Sequence, residues 1–205
     1  MAKKLLSLGT DGKLVLKLPD GRVEALPDAK PDFHTAFLLV DCSGSMAGNR
    51  KLEQAQSGAS SFAEDALENG YSIGLIQFAS TATVLCKPIR DVSKLRLHIN
   101  NLTAGGGTNM TQAMQLALEE LGLADGVRAI VVVTDGMPAE PASVLNVAKR
   151  AKELGIDIIA IGTDDADGDF LKRLASRSEL AIRVSTELLS QSIASAAKML
   201  PGLSQ

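Results

Sequence analysis

The stretch FLLVDCSGSMAG, residues 37–48, changes abruptly from apolar residues to a carboxylate and two hydroxyls. Its run Phe-Leu-Leu-Val has the length and composition of a strand buried on both faces. The run ends on Asp41, and Ser43 and Ser45 follow at a spacing of two. Such residues are typical of a turn in which side-chain oxygens accept backbone N–H groups. At the end of a buried strand they are also typical of one part of a ligand-binding site. The rest of the chain decides between these two interpretations.

The composition is that of a globular protein with one substantial core. The chain has 205 residues, of which 45% are hydrophobic and 22% charged, enough for one domain with a small appendage. The net charge of -3 comes without a concentrated basic face, and tryptophan is absent. These features speak against nucleic-acid binding, which needs a basic surface and usually aromatic stacking platforms.

The cysteines and the apolar runs bear on location. With only Cys42 and Cys86, the chain is no disulfide scaffold, and a reduced cytoplasmic interior is the expected compartment. The apolar run after Lys4 is too short for a signal-peptide core, and no later run approaches the length of a membrane span.

The first 32 residues differ in pattern from the remainder. Two short strand-like runs at 13–18 and 22–26, with turn signals at 11–12 and 19–21, predict a β-hairpin or meander appendage. Residues 26–32 contain two prolines and are expected to be a linker. We therefore expect an appendage and linker over 1–32 and the main domain over 33–205.

From residue 33 onward, apolar strands alternate with amphipathic helices. Strands are predicted at 35–41, 71–80, 82–88, 128–134, 156–163 and 181–185, and helices at 51–70, 91–100, 110–122, 141–154, 169–176 and 186–200. This pattern predicts an α/β, Rossmann-like, doubly wound and mainly parallel sheet with helices on both faces. The second and third strands are separated by so few residues that they should pair antiparallel, giving one antiparallel edge strand.

Oxygen-bearing side chains collect where such sheets bind their ligands, beyond the carboxyl ends of the strands. Asp41, Ser43 and Ser45 follow the first strand, Asp135 follows the fourth, and a triple-glycine loop leads to Thr108. Two carboxylates and three neutral hydroxyls suit Mg²⁺, or Mn²⁺. Two negative charges neutralise one divalent ion and no more, so the ion is expected to keep an open position for a carboxylate from another molecule.

Three segments carry a resemblance to a known family. DCSGS at 41–45, GGGT at 105–108 and VVVTDG at 131–136 resemble, in order and separation, the metal-ion-dependent adhesion site of von Willebrand factor A (VWA) domains. The resemblance covers about residues 34–200 and says nothing about the N-terminal appendage. All five ligand positions of the family are matched, namely Asp41, Ser43, Ser45, Thr108 and Asp135.

The resemblance implies a function as well as a fold. Family members are usually protein-binding modules rather than enzymes, and an Asp or Glu of the partner often completes the metal shell. Many bacterial members resemble components of chaperone-like ATPase systems or stress-resistance clusters, which implies a protein partner from such a system. The expectation is therefore a cytoplasmic, bacterial, metal-dependent interaction module without enzymatic activity.

Enzymatic alternatives find less support in the residues. A metal-dependent hydrolase or phosphatase would use the same ion to activate water, but it needs a general base, and only Asp135 itself is available. Haloacid-dehalogenase chemistry needs a second aspartate where Ser43 stands. A serine hydrolase at Ser45 lacks the nucleophile-elbow spacing, and His34 and His98 are poorly placed as bases.

Three further features have ordinary explanations. The acidic run 164–169 is predicted to be a solvated turn before a helix, because its glycine is out of register for a calcium loop. Cys42 is expected to be a small buried residue. Met46, Met110, Met114 and Met137 would form either an apolar rim for a partner or part of the core, and the sequence leaves both open.

Overall fold

Three short strands near the amino terminus form an antiparallel sheet of their own. They are β1 (Leu5–Leu8), β2 (Leu14–Lys17) and β3 (Val23–Ala25), in the order β1-β2-β3 of a meander. The computed structural model describes residues 5–8, 14–17, 23–25 and 34–202, and divides the chain into units 1–32 and 33–205. The turns expected at 11–12 and 19–21 and the linker at 26–32 lie outside the described residues.

Residues 34–202, the described part of the larger unit, form six strands and six α-helices. The strands are β4 (His34–Asp41), β5 (Tyr71–Phe78), β6 (Ala82–Ile89), β7 (Val127–Thr134), β8 (Ile156–Thr163) and β9 (Ala181–Val184). The helices are α1 (Lys51–Glu68), α2 (Val92–Asn100), α3 (Met110–Gly122), α4 (Pro141–Glu153), α5 (Gly168–Leu174) and α6 (Leu189–Ser195). No helix in the described part of the chain is both long and apolar enough to cross a membrane.

The six strands form one sheet in the order β6-β5-β4-β7-β8-β9. All neighbours pair in parallel except β5 and β6, so the predicted doubly wound sheet with one antiparallel edge strand is confirmed. The chain proceeds from β4 to β5 on one side, and β7 lies on the other side of β4. The strand order therefore reverses beside β4, which opens a crevice at the carboxyl ends of β4 and β7.

Helices cover the sheet in two groups. Helix α1 packs against α2 and α6, and α4 packs against α3 and α5. The sequence of α1 places Leu52, Ala55, Ala59, Phe62 and Ala66 on one inward stripe, and all of them are completely buried except Leu52, which is half-buried. At Gly58 a Cβ atom would lie 2.6 Å from the Ser190 carbonyl oxygen, so α1 and α6 approach closely only because this residue has no side chain.

The helix ends follow local sequence signals with two exceptions. Gly70 and Gly155 adopt φ of +88° and +72° just beyond α1 and α4, as expected of glycine stops. Asn109 caps α3 by accepting the Gln112 N–H, but the Gln112 side chain accepts from Ala82 rather than completing a capping box. The closing segment 186–200 is a 3₁₀ turn, α6 and a second 3₁₀ turn instead of one helix. The segment carries Ser190, Ser192 and Ser195, and serine is a poorer helix former than alanine or leucine.

Candidate metal centre

Asp41 ends the central strand with its carboxylate held in a fixed orientation. The residue is completely buried. Its Oδ1 accepts the backbone N–H of Ser43 at 2.8 Å, and the hydroxyl of Thr134 donates to Oδ2 at 2.6 Å. Strands β4 and β7 are hydrogen-bonded neighbours, which brings the last residue of β7 beside the last residue of β4. The carboxylate is thus fixed by its own loop and by the adjacent strand.

The two serines and the second aspartate form a chain of close oxygen atoms. Ser43 Oγ lies 3.0 Å from Ser45 Oγ, and Ser45 Oγ donates to Asp135 Oδ1 at 2.7 Å. Asp135 is buried just beyond the end of β7, while Ser45 is exposed. Four of the five residues predicted for the site are therefore brought together.

The loop that precedes Thr108 is hydrogen-bonded through its backbone to the loop that carries Ser43 and Ser45. The Gly44 N–H donates to the Gly106 carbonyl at 2.9 Å, and the Gly105 N–H donates to the Cys42 carbonyl at 2.8 Å. Gly106 has a φ of +82°, and a Cβ there would lie 2.6 Å from Ser80 Oγ. The left-handed backbone and the close approach to Ser80 therefore favour glycine at this position.

An open groove adjoins this loop on the surface. It has a volume of about 640 Å³, and the side chains lining it include Thr108, Thr111, Gln115 and Glu140. Thr108 is half-buried, and it follows directly on the glycines that are hydrogen-bonded to the loop after β4. Of the five predicted site residues, Thr108 is the one that lines this groove.

Among the described residues, no basic side chain forms an ion pair with the carboxylate of Asp41. Burial is the main cause that raises the pKa of Asp41 above its ordinary value of 3.8. Hydrogen bonds from Ser43 and Thr134 lower the pKa in part, and the negative charge of Asp135 raises it further. A buried carboxylate without a counterion is unstable in its charged form, and a bound cation would remove that instability.

Lys51 is a site residue that sequence reasoning missed. It is only 5% exposed, and its Nζ donates to Asp135 Oδ2 at 2.8 Å and to Asp165 Oδ2 at 2.7 Å. A signal was present, because Lys51 lies four residues before Ala55 on the inward stripe of α1. The run 164–169 is therefore more than a solvated turn, since Asp165 binds Lys51 and Asp167 caps α5.

The oxygen spacing fits a small divalent cation. Magnesium binds oxygen at about 2.0–2.1 Å in an octahedron, so neighbouring ligands lie about 2.9 Å apart. The separations of 3.0 Å and 2.7 Å along Ser43, Ser45 and Asp135 are compatible with this value, but they are also ordinary hydrogen-bond lengths, so the chemistry of the oxygen atoms is what indicates the kind of ion. Among the described residues no three His, Cys, Asp or Glu side chains cluster as metal ligands. The donors are two carboxylates and neutral hydroxyls, a set that suits Mg²⁺ or Mn²⁺ rather than a softer metal.

The cysteine and histidines next to the site in sequence have structural roles. Burial and the charge of Asp41 raise the pKa of Cys42 to about 12, so its thiol stays protonated, as expected of a small buried residue. His34 lies at the opposite end of β4 from Asp41 and stacks on Tyr71 with ring centroids 5.0 Å apart. The imidazole of His34 is therefore not placed to serve Ser45 as a base. His98 lies in α2.

The methionines belong mainly to the core. Met46, Met110 and Met114 are completely buried, whereas Met137 is 45% exposed. The interpretation as an apolar rim for a partner is therefore wrong for three of the four. Core packing, the other interpretation, accounts for them.

Comparison with known proteins identifies relatives of this fold. The chain is 30% identical over 135 residues to calcium-activated chloride channel regulator 4 of Homo sapiens, covering 61% of this chain and 14% of that protein. It is 32% identical over 131 residues to the magnesium-chelatase 67 kDa subunit of Chlorobaculum parvum, covering 61% of this chain and 20% of that protein. The chain thus spans a fifth or less of the length of these two relatives.

A solved structure agrees with the architecture. The vWF domain of the type V pili tip protein Mfa5 from Porphyromonas gingivalis superposes with a TM-score of 0.76 at 15% identity, covering 84% of this chain and 97% of that one. At this identity the likeness shows a shared fold. The family described as von Willebrand factor type A domain matches residues 37–196, from within β4 to the end of α6. The chain therefore belongs to the von Willebrand factor type A domain family.

Proposed function

We propose that this chain is a metal-dependent protein-binding module. Asp41, Ser43, Ser45, Thr108 and Asp135 would hold one Mg²⁺ or Mn²⁺ ion. An Asp or Glu carboxylate of a protein partner would complete the shell of that ion. VWA domains are typically interaction and adhesion modules, and the metal dependence and the partner carboxylate are our proposal for this chain.

The buried charge of Asp41 is the observation that carries the proposal. The side chain is fully buried, points its oxygens toward Ser43 and Thr134, and meets no basic group among the described residues. Desolvating a carboxylate without a counterion costs several kcal/mol. The hydroxyls of Ser43 and Ser45 belong to the loop that follows Asp41, and a cation bound among these oxygens would offset that cost.

The partner's carboxylate follows from charge and access. Ser45 is exposed, so a ligand approaching the cluster reaches solvent-facing oxygen. The groove lined by Thr108 would offer space for part of the partner's polypeptide. An ion held largely by neutral hydroxyls stays electrophilic, and an anionic oxygen is its natural last ligand.

A binding role suits the site better than hydrolysis. A hydrolase would need a general base near the metal, and Asp135 was the one candidate in the sequence. Both oxygens of Asp135 are engaged, one by Ser45 and the other by Lys51. We therefore propose that the domain binds without catalysing a reaction.

The partner class and the compartment rest on weaker support and belong to the proposal. The family resemblance favours a partner from a bacterial chaperone-like ATPase system or a stress-resistance cluster. Cys42 and Cys86 are both free thiols, which supports a reducing cytoplasmic environment.

A metal titration tests the ligand assignment. Isothermal calorimetry of the wild type with Mg²⁺ and Mn²⁺ should give one ion per chain. Ser45→Ala should weaken binding by roughly tenfold or more, a usual effect of losing a group that supports a metal. Ser60→Ala is a matched control, because Ser60 Oγ only donates to the Gln56 carbonyl within α1. Equal affinities of the wild type and Ser45→Ala would contradict the assignment.

A capture experiment tests the binding role. Immobilised wild-type protein and Asp41→Ala should be compared with candidate partners in Mg²⁺ and in EDTA. The proposal expects a protein that the wild type retains in Mg²⁺, and that both EDTA and Asp41→Ala release. Replacing single acidic residues of that protein should abolish retention at one position. Binding that survives EDTA would show that recognition does not use a metal.

A further inference from the structure

Lys51 is a buried cation inside the proposed metal site. Its side chain is 6% exposed, and its ammonium bridges Asp135, which is 1% exposed, and Asp165, which is 68% exposed. The ammonium makes two ion pairs, at 2.8 Å to Asp135 and at 2.7 Å to Asp165, so a positive charge lies directly against one of the two site carboxylates.

The local backbone does not explain why a lysine stands there. Lys51 is the first residue of α1, where the helix dipole disfavours a positive charge. The two preceding residues, Asn49 and Arg50, have φ of +52° and +56°, a left-handed conformation that non-glycine residues rarely adopt. Helix α1 also begins without a side-chain cap. The backbone at the start of α1 is thus strained. In this conformation it places the ammonium of Lys51 against Asp135.

Lys51 changes the charge that a metal would meet. Asp41 and Asp135 contribute two negative charges, and Lys51 cancels one of them. With a divalent ion added, these three side chains and the ion keep one net positive charge. Asp165 is largely exposed, so solvent screens much of its charge. An incoming carboxylate is what would bring the centre to neutrality.

Lys51 also limits how Asp135 can bind a metal. Its Nζ takes Oδ2, which leaves Oδ1, the oxygen that Ser45 contacts, for the metal side. Calcium often takes both oxygens of a carboxylate and six to eight ligands in all, whereas magnesium takes single oxygens in a small octahedron. A carboxylate restricted to one oxygen therefore favours the smaller ion.

We propose that Lys51 is a resident cation that sets the affinity and the selectivity of this metal site. It occupies one oxygen of Asp135 and cancels one of the two site charges. The inference rests on the proposed function, because it assumes that Asp41 and Asp135 hold a divalent ion. It predicts a site that binds Mg²⁺ weakly by itself, discriminates against Ca²⁺, and needs an anionic partner for tight binding.

Calorimetric titration of Lys51→Met with Mg²⁺ and Ca²⁺ tests the role. The Mg²⁺ affinity should rise by about tenfold or more, because a like charge in contact with the site is removed. The Ca²⁺ affinity should rise by a larger factor, because Asp135 regains its second oxygen. Lys152→Met is the matched control, since Lys152 donates to the Arg173 carbonyl near the far end of α4, and it should change neither affinity.

The exposed partner of Lys51 provides a second variant if Lys51→Met does not fold. Asp165→Asn removes the second ion pair of Lys51, so that the charge of the ammonium is balanced by Asp135 alone. The Mg²⁺ affinity should therefore fall. Asp164→Asn removes the same formal charge from the neighbouring exposed side chain and should lower it less. Equal effects of these two substitutions would overturn the proposed role of Lys51.

The outcomes separate the two proposals. A folded Lys51→Met protein with unchanged or lower affinity for both metals overturns the resident-cation role, because a merely structural lysine would give that result. A change in Mg²⁺ affinity without a change in the Mg²⁺ to Ca²⁺ ratio overturns the selectivity. If the wild type binds no divalent ion, the proposed function itself fails, whatever Lys51 does.

Discussion

The Asp41→Asn variant should be more stable than the wild type without magnesium and less stable than the wild type with magnesium. Asparagine has the shape of aspartate without its charge. Its Oδ1 can still accept the Ser43 N–H, which lies 2.8 Å from Asp41 Oδ1. The amide group can donate to the Thr134 hydroxyl, which now donates to Asp41 Oδ2 at 2.6 Å and can also accept. The substitution therefore removes a buried charge and keeps its hydrogen bonds.

Without metal, the variant should be the more stable protein. An uncompensated buried charge costs several kcal/mol. Hydrogen bonds to a charged group exceed neutral ones by about 1 kcal/mol each, and Asp41 has two, so part of that cost is already offset. The net gain for Asp41→Asn should be about 1–2 kcal/mol, which raises the Tm by roughly 2–8 °C for a domain of this size.

With magnesium, the order should reverse. An ion that binds only the folded state at 100 times its Kd adds about 2.7 kcal/mol to the free energy of unfolding. The wild type should gain this amount, and Asp41→Asn should gain little. Urea unfolding in EDTA and in saturating Mg²⁺ measures both values. Asp157→Asn, at the opposite end of the sheet on β8, should keep the magnesium effect of the wild type.

The pH dependence gives a separate check on the same charge. Because the folded state raises the pKa of Asp41, the wild type pays no burial cost below the ordinary pKa of 3.8, where the carboxyl is neutral in both states. Its stability then falls as pH rises through the folded-state pKa. The advantage of Asp41→Asn in EDTA should therefore grow with pH from about 4 upward and then level off. A shrinking advantage, or an equal magnesium effect in both proteins, would refute the reasoning.

Three further substitutions test backbone positions at the site, between helices α1 and α6, and at the start of α1. Gly106→Ala should destabilise the domain by about 1–3 kcal/mol and weaken Mg²⁺ binding, because the residue has a φ of +82° and a Cβ would lie too close to Ser80. Gly48→Ala is the control: a Cβ at Gly48 meets nothing within 4 Å, so neither stability nor Mg²⁺ binding should change. Gly58→Ala should cost about 1–3 kcal/mol in urea unfolding by forcing α6 away, whereas Gly122→Ala, with open space around it, should be neutral or stabilising. Arg50→Gly should raise the free energy of unfolding by about 1 kcal/mol by relieving its left-handed backbone, and unchanged or lower stability would show that no strain is stored there.

The candidate site was largely predictable because its elements are local. The spacing of Asp41, Ser43 and Ser45 lies within one loop, and an apolar run identifies the strand that precedes it. The rule that parallel strands present their carboxyl ends at one edge then associates Asp135 with the same site, across 90 residues from Ser45. The ligand roles of these residues stay a proposal until a metal is measured.

What the sequence by itself determined is the kind of structure and the chemistry of the donors. Alternating apolar strands and amphipathic helices define a doubly wound sheet, and hydroxyls with carboxylates define a hard-metal ligand set. Only the tertiary structure showed that Lys51 lies inside the site, paired with residues 84 and 114 positions away. A helix pattern indicates which face a lysine occupies, but the charge it meets there depends on how separate loops pack. That pairing changes the charge of the site, and no local signal in the sequence carries it.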